Sequence, residues 1–122
     1  MTKLKHTVVL GASPNPNRYS YLAATKLKEH GHPVTAVGRR PGNIKELLIL
    51  SGTPIINSVD TVTLYLNPDN QKPLYDYIFS LNPRRIIFNP GTENPELEEL
   101  ALKKGIVTQE ACTMVLLSTG AY

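Results

Sequence analysis

Short apolar segments alternate with amphipathic ones along the chain, a pattern typical of α/β proteins. The first apolar segment, His6–Leu10, is rich in β-branched residues, as expected for a strand buried on both faces. A helical pattern over Arg18–His30 follows, ends at Gly31 and leads into a second strand over Pro33–Val37. These elements make a βαβ unit, so we expect the two strands to be parallel. The residues predicted to form the core face of the helix are Tyr19, Leu22, Ala23 and Leu27.

The rest of the chain continues the alternation of strand and helix patterns. Further strands are predicted over Thr53–Asn57, Thr61–Leu66, Arg84–Phe88 and Ile106–Thr108. Helical segments are predicted over Asn43–Ser51, from Asn67 through Leu81, from Asn94 to Gly105 and over Ala111–Leu117. Asn67 and Asn94 are each followed by proline, which gives an N-cap and a proline at the first helical position. The sequence therefore predicts one domain, residues 1–122, built on an open, mostly parallel sheet of five to six strands.

The junction between the first strand and the first helix carries the strongest candidate chemistry. Gly11-Ala12-Ser13 follows the strand, and a polar loop broken by prolines leads to Arg18-Tyr19-Ser20 at the start of the helix. In an open α/β sheet, ligands bind at the carboxyl ends of the strands, where helix N-termini attract anions. Gly11 permits the turn and the close approach of a phosphate, while the serine hydroxyls and the Arg18 guanidinium add donors. The alternative is a plain βα connection that binds no ligand.

The charge distribution favours the same part of the chain. Residues 1–45 carry eight Lys or Arg and one acid, a net charge of +7, whereas residues 46–122 carry five basic and nine acidic residues, a net charge of −4. A positive half that contains the glycine loop favours a small anionic ligand. It does not favour nucleic acid, because the sequence has no dense basic run interleaved with aromatic residues. The alternative is that these charges only solvate the surface.

The residues after the second predicted strand narrow the choice of ligand. An NAD-binding fold places an acidic residue there to bind the ribose hydroxyl, but this chain has Gly38-Arg39-Arg40. Guanidinium groups pair with phosphate, so the position favours a phosphorylated ribose. NADP carries such a phosphate at the 2′ position and CoA at the 3′ position, whereas NAD is disfavoured. The alternative is that the two arginines lie on a mobile loop without a ligand role.

The sequence offers little catalytic or metal-binding apparatus. Its three histidines lie away from the predicted carboxyl ends of the strands, and Cys112 is the single cysteine. This composition excludes an internal disulfide, gives no metal-ligand spacing and favours a cytoplasmic protein. Cys112 is most simply a small buried hydrophobic residue. No apolar run reaches the length of a membrane span, so we predict no membrane association, no metal and no catalytic group.

Several blocks of sequence resemble, in order and spacing, the small stand-alone CoA-binding domain proteins. The blocks are Val8–Ser13, Arg18-Tyr19-Ser20, Gly38-Arg39-Arg40, Thr61–Leu66, Phe88–Glu93 and Ala111-Cys112-Thr113. These proteins are similar to the CoA-binding domain of the succinyl-CoA synthetase alpha subunit. The resemblance covers nearly the whole chain and implies a Rossmann-like three-layer αβα sandwich that binds CoA or an acyl-CoA.

The resemblance also implies roles for individual residues. The glycine loop, with Arg18 and Ser20, would contact the diphosphate, and Arg39 or Arg40 would bind the 3′-phosphate. The segment from Tyr65 to Asn67 and Pro90-Gly91 would wall the pantetheine or adenine side. The predicted ligand-binding residues are Gly11, Ala12, Ser13, Arg18, Tyr19, Ser20, Gly38, Arg39, Arg40, Tyr65, Asn67, Pro90 and Gly91.

Three functional hypotheses follow from the sequence. The first is a CoA-binding module, a carrier, sensor or partner subunit, with the balance leaning away from an enzyme. The second is an NADP-dependent oxidoreductase, for which Tyr65 and Cys112 are the visible proton-donor candidates. The third is a nucleotide-sensing interaction protein whose positive half binds an acidic partner. Sequence alone does not determine the acyl group, the oligomeric state or the protein partner.

Overall fold

A seven-stranded sheet with helices on both faces forms the protein in a computed structural model that describes residues 3–122. The strands are β1 (Thr7–Leu10), β2 (Val34–Val37), β3 (Gly42–Ile44), β4 (Leu47–Leu50), β5 (Thr61–Leu64), β6 (Arg85–Phe88) and β7 (Val107–Glu110). The helices are α1 (Tyr19–Glu29), α2 (Pro68–Gln71), α3 (Tyr75–Ser80), α4 (Pro95–Lys103) and α5 (Thr113–Ser118), with a 3₁₀ turn over Lys72–Leu74.

The strand order places the reversal of the sheet beside β1. The order across the sheet is β3-β4-β2-β1-β5-β6-β7. Every neighbouring pair is parallel except β3 and β4, which pair antiparallel. The predicted Rossmann-like α/β sandwich and the parallel pairing of β1 with β2 are confirmed, although the sheet has seven strands rather than five to six. Since the chain continues to opposite sides of β1, the carboxyl ends of β1, β2 and β5 enclose a crevice.

Two apolar cores lie between the sheet and its helices, one on each face of the sheet. On one face, Val9 and Ile49 pack with Ala24 and Leu27 of α1 and Leu117 of α5. On the other face, larger side chains of β5 and β6 pack against α3 and α4. Among these, Val62, Leu64, Ile86, Phe88, Ile78 and Leu97 are at most 1% exposed. All four residues of β1, β5 and β6 are buried, as expected for strands covered on both faces.

The prediction for residues 43–57 was wrong. Asn43–Ser51 is not helical but forms most of the hairpin of β3 and β4, with Lys45 in a left-handed conformation at the turn (φ 54°). A short apolar run fits helix and strand equally well, and here pairing of β4 with the free edge of β2 decides for strand. Thr53–Asn57 is not a strand, because β4 already occupies that edge. The Tyr77 hydroxyl instead fixes this segment by donating to the Pro54 carbonyl (2.7 Å).

The packing face of α1 also differs from the prediction. Ala23 and Leu27 are buried as expected, but Tyr19 is 70% and Leu22 39% exposed. Ser20 and Ala24 are buried in their place. The helix ends as predicted, since Gly31 adopts a left-handed conformation (φ 85°) and its amide donates to the Lys28 carbonyl.

The remaining elements lie close to their predicted positions. Asn67 and Asn94 cap α2 and α4 with their side chains, and Pro68 and Pro95 stand at the helix starts. The helix predicted from Asn67 through Leu81 is divided, because Pro73 cannot donate an amide and lies in the 3₁₀ turn between α2 and α3. Within residues 3–122, no helix has the length and apolar character needed to cross a membrane.

A buried histidine ties the amino-terminal edge of the sheet. His32 is 5% exposed, and its Nδ1 accepts the backbone N–H of Lys5 (3.0 Å). A ring nitrogen that accepts a hydrogen bond carries no proton, so the fold requires neutral His32. Burial, reinforced by the positive charges of His30, Lys5 and Arg85, lowers the pKa of His32 from 6.5.

The free energy of unfolding should fall as pH drops below about 6.5, the ordinary pKa of histidine. The unfolded chain protonates His32 before the folded chain does, so stability is complete above this pH and is lost towards the folded-state pKa. Urea unfolding between pH 5 and pH 8 measures the effect. His32→Asn keeps an acceptor for the Lys5 amide and should flatten this dependence, whereas the exposed control His30→Asn should not. Equal pH dependence in His32→Asn and the unmodified protein would contradict the assignment.

Candidate ligand-binding cleft

A cleft of about 960 Å³ opens at the carboxyl ends of β1, β2, β5 and β6. This volume lies at the upper end of the range for ligand pockets. All thirteen residues predicted from the sequence line it: Gly11, Ala12, Ser13, Arg18, Tyr19, Ser20, Gly38, Arg39, Arg40, Tyr65, Asn67, Pro90 and Gly91. The structure therefore brings the separate sequence blocks to one place.

The floor of the cleft is a tight contact between the ends of β1 and β2. Gly11 adopts a left-handed conformation (φ 94°), and a Cβ there would lie 2.9 Å from the Tyr65 backbone. The amides of Gly11 and Ala12 both donate to the Val37 carbonyl at 2.9 Å. Gly38 has still less room, since a Cβ there would be 2.1 Å from the Ala12 carbonyl oxygen. The first two loop amides are thus used within the protein and are not available to a ligand.

The amides that remain open belong to Ser13 and to the first turn of α1. The helix has no side-chain cap, and within residues 3–122 the amides of Ser13, Tyr19 and Ser20 have no protein acceptor. The loop between them is braced locally, because Ser13 Oγ accepts the Asn15 amide (3.1 Å) and Asn15 Oδ1 the Asn17 amide (2.9 Å). Uncapped first-turn amides and the positive end of the helix dipole favour an anion at this point.

Two exposed arginines line the cleft beside this site. Arg39 Nη2 donates to Asn70 Oδ1 at 3.1 Å, and Arg40 lies next to it. Over residues 3–122 the ion pairs are Lys26–Glu29 and Lys103–Glu99, so neither arginine is neutralised by a carboxylate. With Arg18 they leave the cleft positively charged and open to an anionic ligand.

The opposite wall combines apolar and polar groups. Leu66, Pro73 and Leu74 contribute apolar surface, and Pro90 and Gly91 form the rim after β6. Tyr65 also lines the cleft, but its hydroxyl is buried and has no well-formed hydrogen bond within residues 3–122. Burial raises the pKa of Tyr65 above its ordinary value of 10.0, despite the nearby hydroxyls of Thr113 and Thr63. The ring can contact a ligand, whereas the hydroxyl is poorly suited to exchange protons.

Other candidate chemistry lies apart from the cleft or does not assemble. Cys112 is half-buried immediately before α5. Within the described part of the chain, no group of three His, Cys, Asp or Glu side chains is arranged to hold a metal ion.

Comparison with protein families identifies the chain. Residues 5–118 match the model of the CoA binding domain. The chain belongs to the CoA-binding domain family. Its fold is also that of the solved structure of an uncharacterized protein, which is 52% identical and covers 99% of this chain and 100% of its own with a TM-score of 0.97.

More distant structures share the fold of this CoA-binding domain. A hypothetical protein from Pyrococcus horikoshii is 22% identical over 96% of this chain and 84% of its own, with a TM-score of 0.86. A Thermus thermophilus protein is 22% identical over 98% of this chain and 91% of its own, with a TM-score of 0.85. At this identity they show the fold alone. No curated protein sequence matches significantly.

The buried amide side chains of Gln71, Asn89 and Asn94 support the cleft of this CoA-binding domain. Sequence reasoning missed Gln71 and identified Asn94 only as a helix cap. Gln71 Nε2 donates to the carbonyls of Leu66 and Thr92, and its Oε1 accepts from Asn94, all at 2.8 Å. Asn89, which the sequence singled out only as part of a motif, belongs to the same support. The available signal for a buried support was the position of these polar residues next to predicted helix starts. Asn and Gln are usually exposed, so the signal did not predict burial.

Asn89, directly after β6, joins this end of the sheet to β5 and to the start of α5. Its Nδ2 donates to Thr63 Oγ1 (2.6 Å) and to the Leu64 carbonyl (2.8 Å), and its Oδ1 accepts the Thr113 amide (2.9 Å). Since Asn89 is 2% exposed, bulk solvent does not compete for these bonds. The side chain therefore fixes the start of the Pro90–Gly91 rim.

Asn89→Ala should lower the free energy of unfolding by about 3 kcal/mol, because it leaves several buried groups without partners. Urea unfolding measures this loss. Asn57→Ala, at an exposed position whose side chain makes no hydrogen bond within the described residues, should cost at most about 0.5 kcal/mol. A similar small loss for both variants would show that the amide is not a support of the cleft.

Proposed function

We propose that the cleft binds CoA or an acyl-CoA and that the protein acts without catalysis, as a carrier, sensor or partner module. The observation that carries the proposal is that the start of an uncapped helix and three arginines, Arg18, Arg39 and Arg40, line one cleft in a member of the CoA-binding domain family, and that none of the three forms an ion pair within residues 3–122. CoA has two separated anionic groups, a diphosphate and a ribose phosphate. The cleft has two matching cationic regions.

The diphosphate fits the start of α1. The open amides belong to Ser13, Tyr19 and Ser20, which line the cleft together with Arg18. Amides at a helix N-terminus bind phosphate oxygens directly, and a guanidinium adds charge-assisted bonds. In this arrangement Gly11 and Ala12 contribute space and backbone shape, since their amides are bonded to Val37.

The phosphorylated ribose fits the loop after β2. Arg39 and Arg40 occupy the position where an NAD-binding fold carries an acidic residue. Gly38 keeps this loop close to Ala12, which brings the ribose region and the diphosphate region within one ligand length. The pantetheine arm then extends along Tyr65, Leu66 and the rim at Pro90-Gly91.

The assignment of a non-catalytic role rests on the chemistry of the cleft. Tyr65, the proton-donor candidate from the sequence that lines the cleft, has a buried hydroxyl and a raised pKa. A general acid or base works best with a pKa near the operating pH and in contact with the reacting group. A Tyr65-based reductase is therefore the weaker hypothesis, although the arginine pair suits NADP as well as CoA.

Calorimetric titration with CoA, dephospho-CoA, NADPH and NADH in one buffer tests the proposal. CoA should bind in the micromolar range and dephospho-CoA roughly ten- to hundredfold more weakly, since one charge-assisted phosphate contact contributes about 1.5–3 kcal/mol. NADH should not bind. Binding of NADPH without CoA would favour the reductase hypothesis, and binding of none of the four would reject both.

Substitution of the arginines tests the phosphate site. Arg39→Ala or Arg40→Ala should lower the affinity for CoA about tenfold or more and leave that for dephospho-CoA nearly unchanged. Arg84→Ala, which removes an exposed arginine at the opposite edge of the sheet, serves as the control. Equal losses for CoA in the control and in both cleft variants would show a general charge effect rather than a site.

A further inference from the structure

A hydrogen bond crosses the mouth of the cleft. Arg39 follows β2 and Asn70 lies in α2 after β5, on opposite sides of β1. Adjacent strands are about 4.8 Å apart, so the ends of β2 and β5 are separated by roughly twice that distance. The Arg39 side chain spans this gap and donates from Nη2 to Asn70 Oδ1 at 3.1 Å. Both residues are exposed and line the cleft.

The two ends of this bond differ in how firmly they are held. The Asn70 amide donates to Asn67 Oδ1 (2.9 Å) and to the Asn67 carbonyl (3.1 Å). The next residue, Gln71, is fully buried and bonded to the backbone of two segments. Arg39 lies on an exposed loop, and Asn70 is its hydrogen-bond partner within residues 3–122. Asn70 therefore fixes Arg39, rather than the reverse.

The acceptor of this bond, Asn70 Oδ1, is a neutral amide oxygen, which leaves the charge of Arg39 in place. A guanidinium has five N–H donors in a rigid fork, and Asn70 uses one of them. A neutral amide holds the fork without cancelling its charge, whereas an aspartate there would form an ion pair. The fork remains free to bind a phosphate with its other donors.

We infer that Asn70 is a positioning residue that sets Arg39 for the terminal ribose phosphate of the ligand and so determines specificity for the phosphorylated form. The inference rests on the proposed CoA function. Asn70 acts through Arg39, so its contribution should appear in the ratio of CoA to dephospho-CoA affinity and should vanish when Arg39 is absent.

Calorimetric titration of three variants tests this role. Asn70→Ala should weaken CoA binding about threefold to tenfold and dephospho-CoA binding less than about twofold, because it removes only positioning. Asn70→Asp should weaken CoA binding more than tenfold, because it neutralises Arg39 and repels the phosphate. An acidic residue in the first turn of α2 is favourable to the helix, so this variant should fold. Asn82→Asp adds the same charge at an exposed turn near the opposite sheet edge and should leave both affinities within about twofold.

A double-mutant cycle separates positioning from direct contact. In an Arg39→Ala background, Asn70→Ala should no longer change the CoA to dephospho-CoA ratio. An unchanged effect in that background, or equal weakening of both ligands by Asn70→Ala, overturns the inference. If the unmodified protein binds both ligands equally, the CoA function stands and the role of Asn70 falls. If it binds neither, the proposed function fails and the inference falls with it.

Discussion

The carbonyl oxygen of Val37 accepts hydrogen bonds from two successive amides, those of Gly11 and Ala12, and Gly38, the residue that follows β2, has no side chain. This backbone contact holds the ends of β1 and β2 together at the point where the sheet reverses. The missing side chain matters because a Cβ at Gly38 would overlap the Ala12 carbonyl oxygen. The contact sets the distance between the first loop and the arginine loop, and therefore the spacing between the open amides at the start of α1 and the arginines.

The opposite wall of the cleft, at the ends of β5 and β6, is held by a different kind of interaction. There, buried amide side chains rather than close backbone packing join the ends of β5 and β6 to the helices that follow. Each amide supplies both donors and acceptors, so one side chain satisfies backbone groups of several segments at once. Such buried networks stabilise the fold only when every polar group is paired. This wall of the cleft is therefore rigid and tolerates few substitutions. The cleft thus lies between a tightly packed wall and a hydrogen-bonded one.

Much of this architecture was predictable from local sequence. The β-branched run ending at Leu10 and the glycine after His30 specify the first βαβ unit, and parallel strands necessarily bring their following loops to one edge. The hairpin at residues 42–50 was not predictable in the same way. Its apolar run suits either structure, and the outcome depends on the free edge of β2, which is a tertiary property. Likewise, the capture of the Gly11 and Ala12 amides by Val37 and the bond between Arg39 and Asn70 join distant segments, which no local pattern records.

The hairpin of β3 and β4 has a consequence for how this fold can diversify. It returns the chain to β2 almost at once, so the arginine loop is only the short stretch 38–41 between two strands. Both ends of that stretch are anchored by sheet hydrogen bonds, and its arginines point away from the core. Substitutions of Arg39 and Arg40, whose side chains are exposed, alter the charge of the cleft with little cost to folding, whereas Gly38 has no room for a side chain. The charge of the cleft can therefore change during evolution at these two positions while the scaffold stays the same.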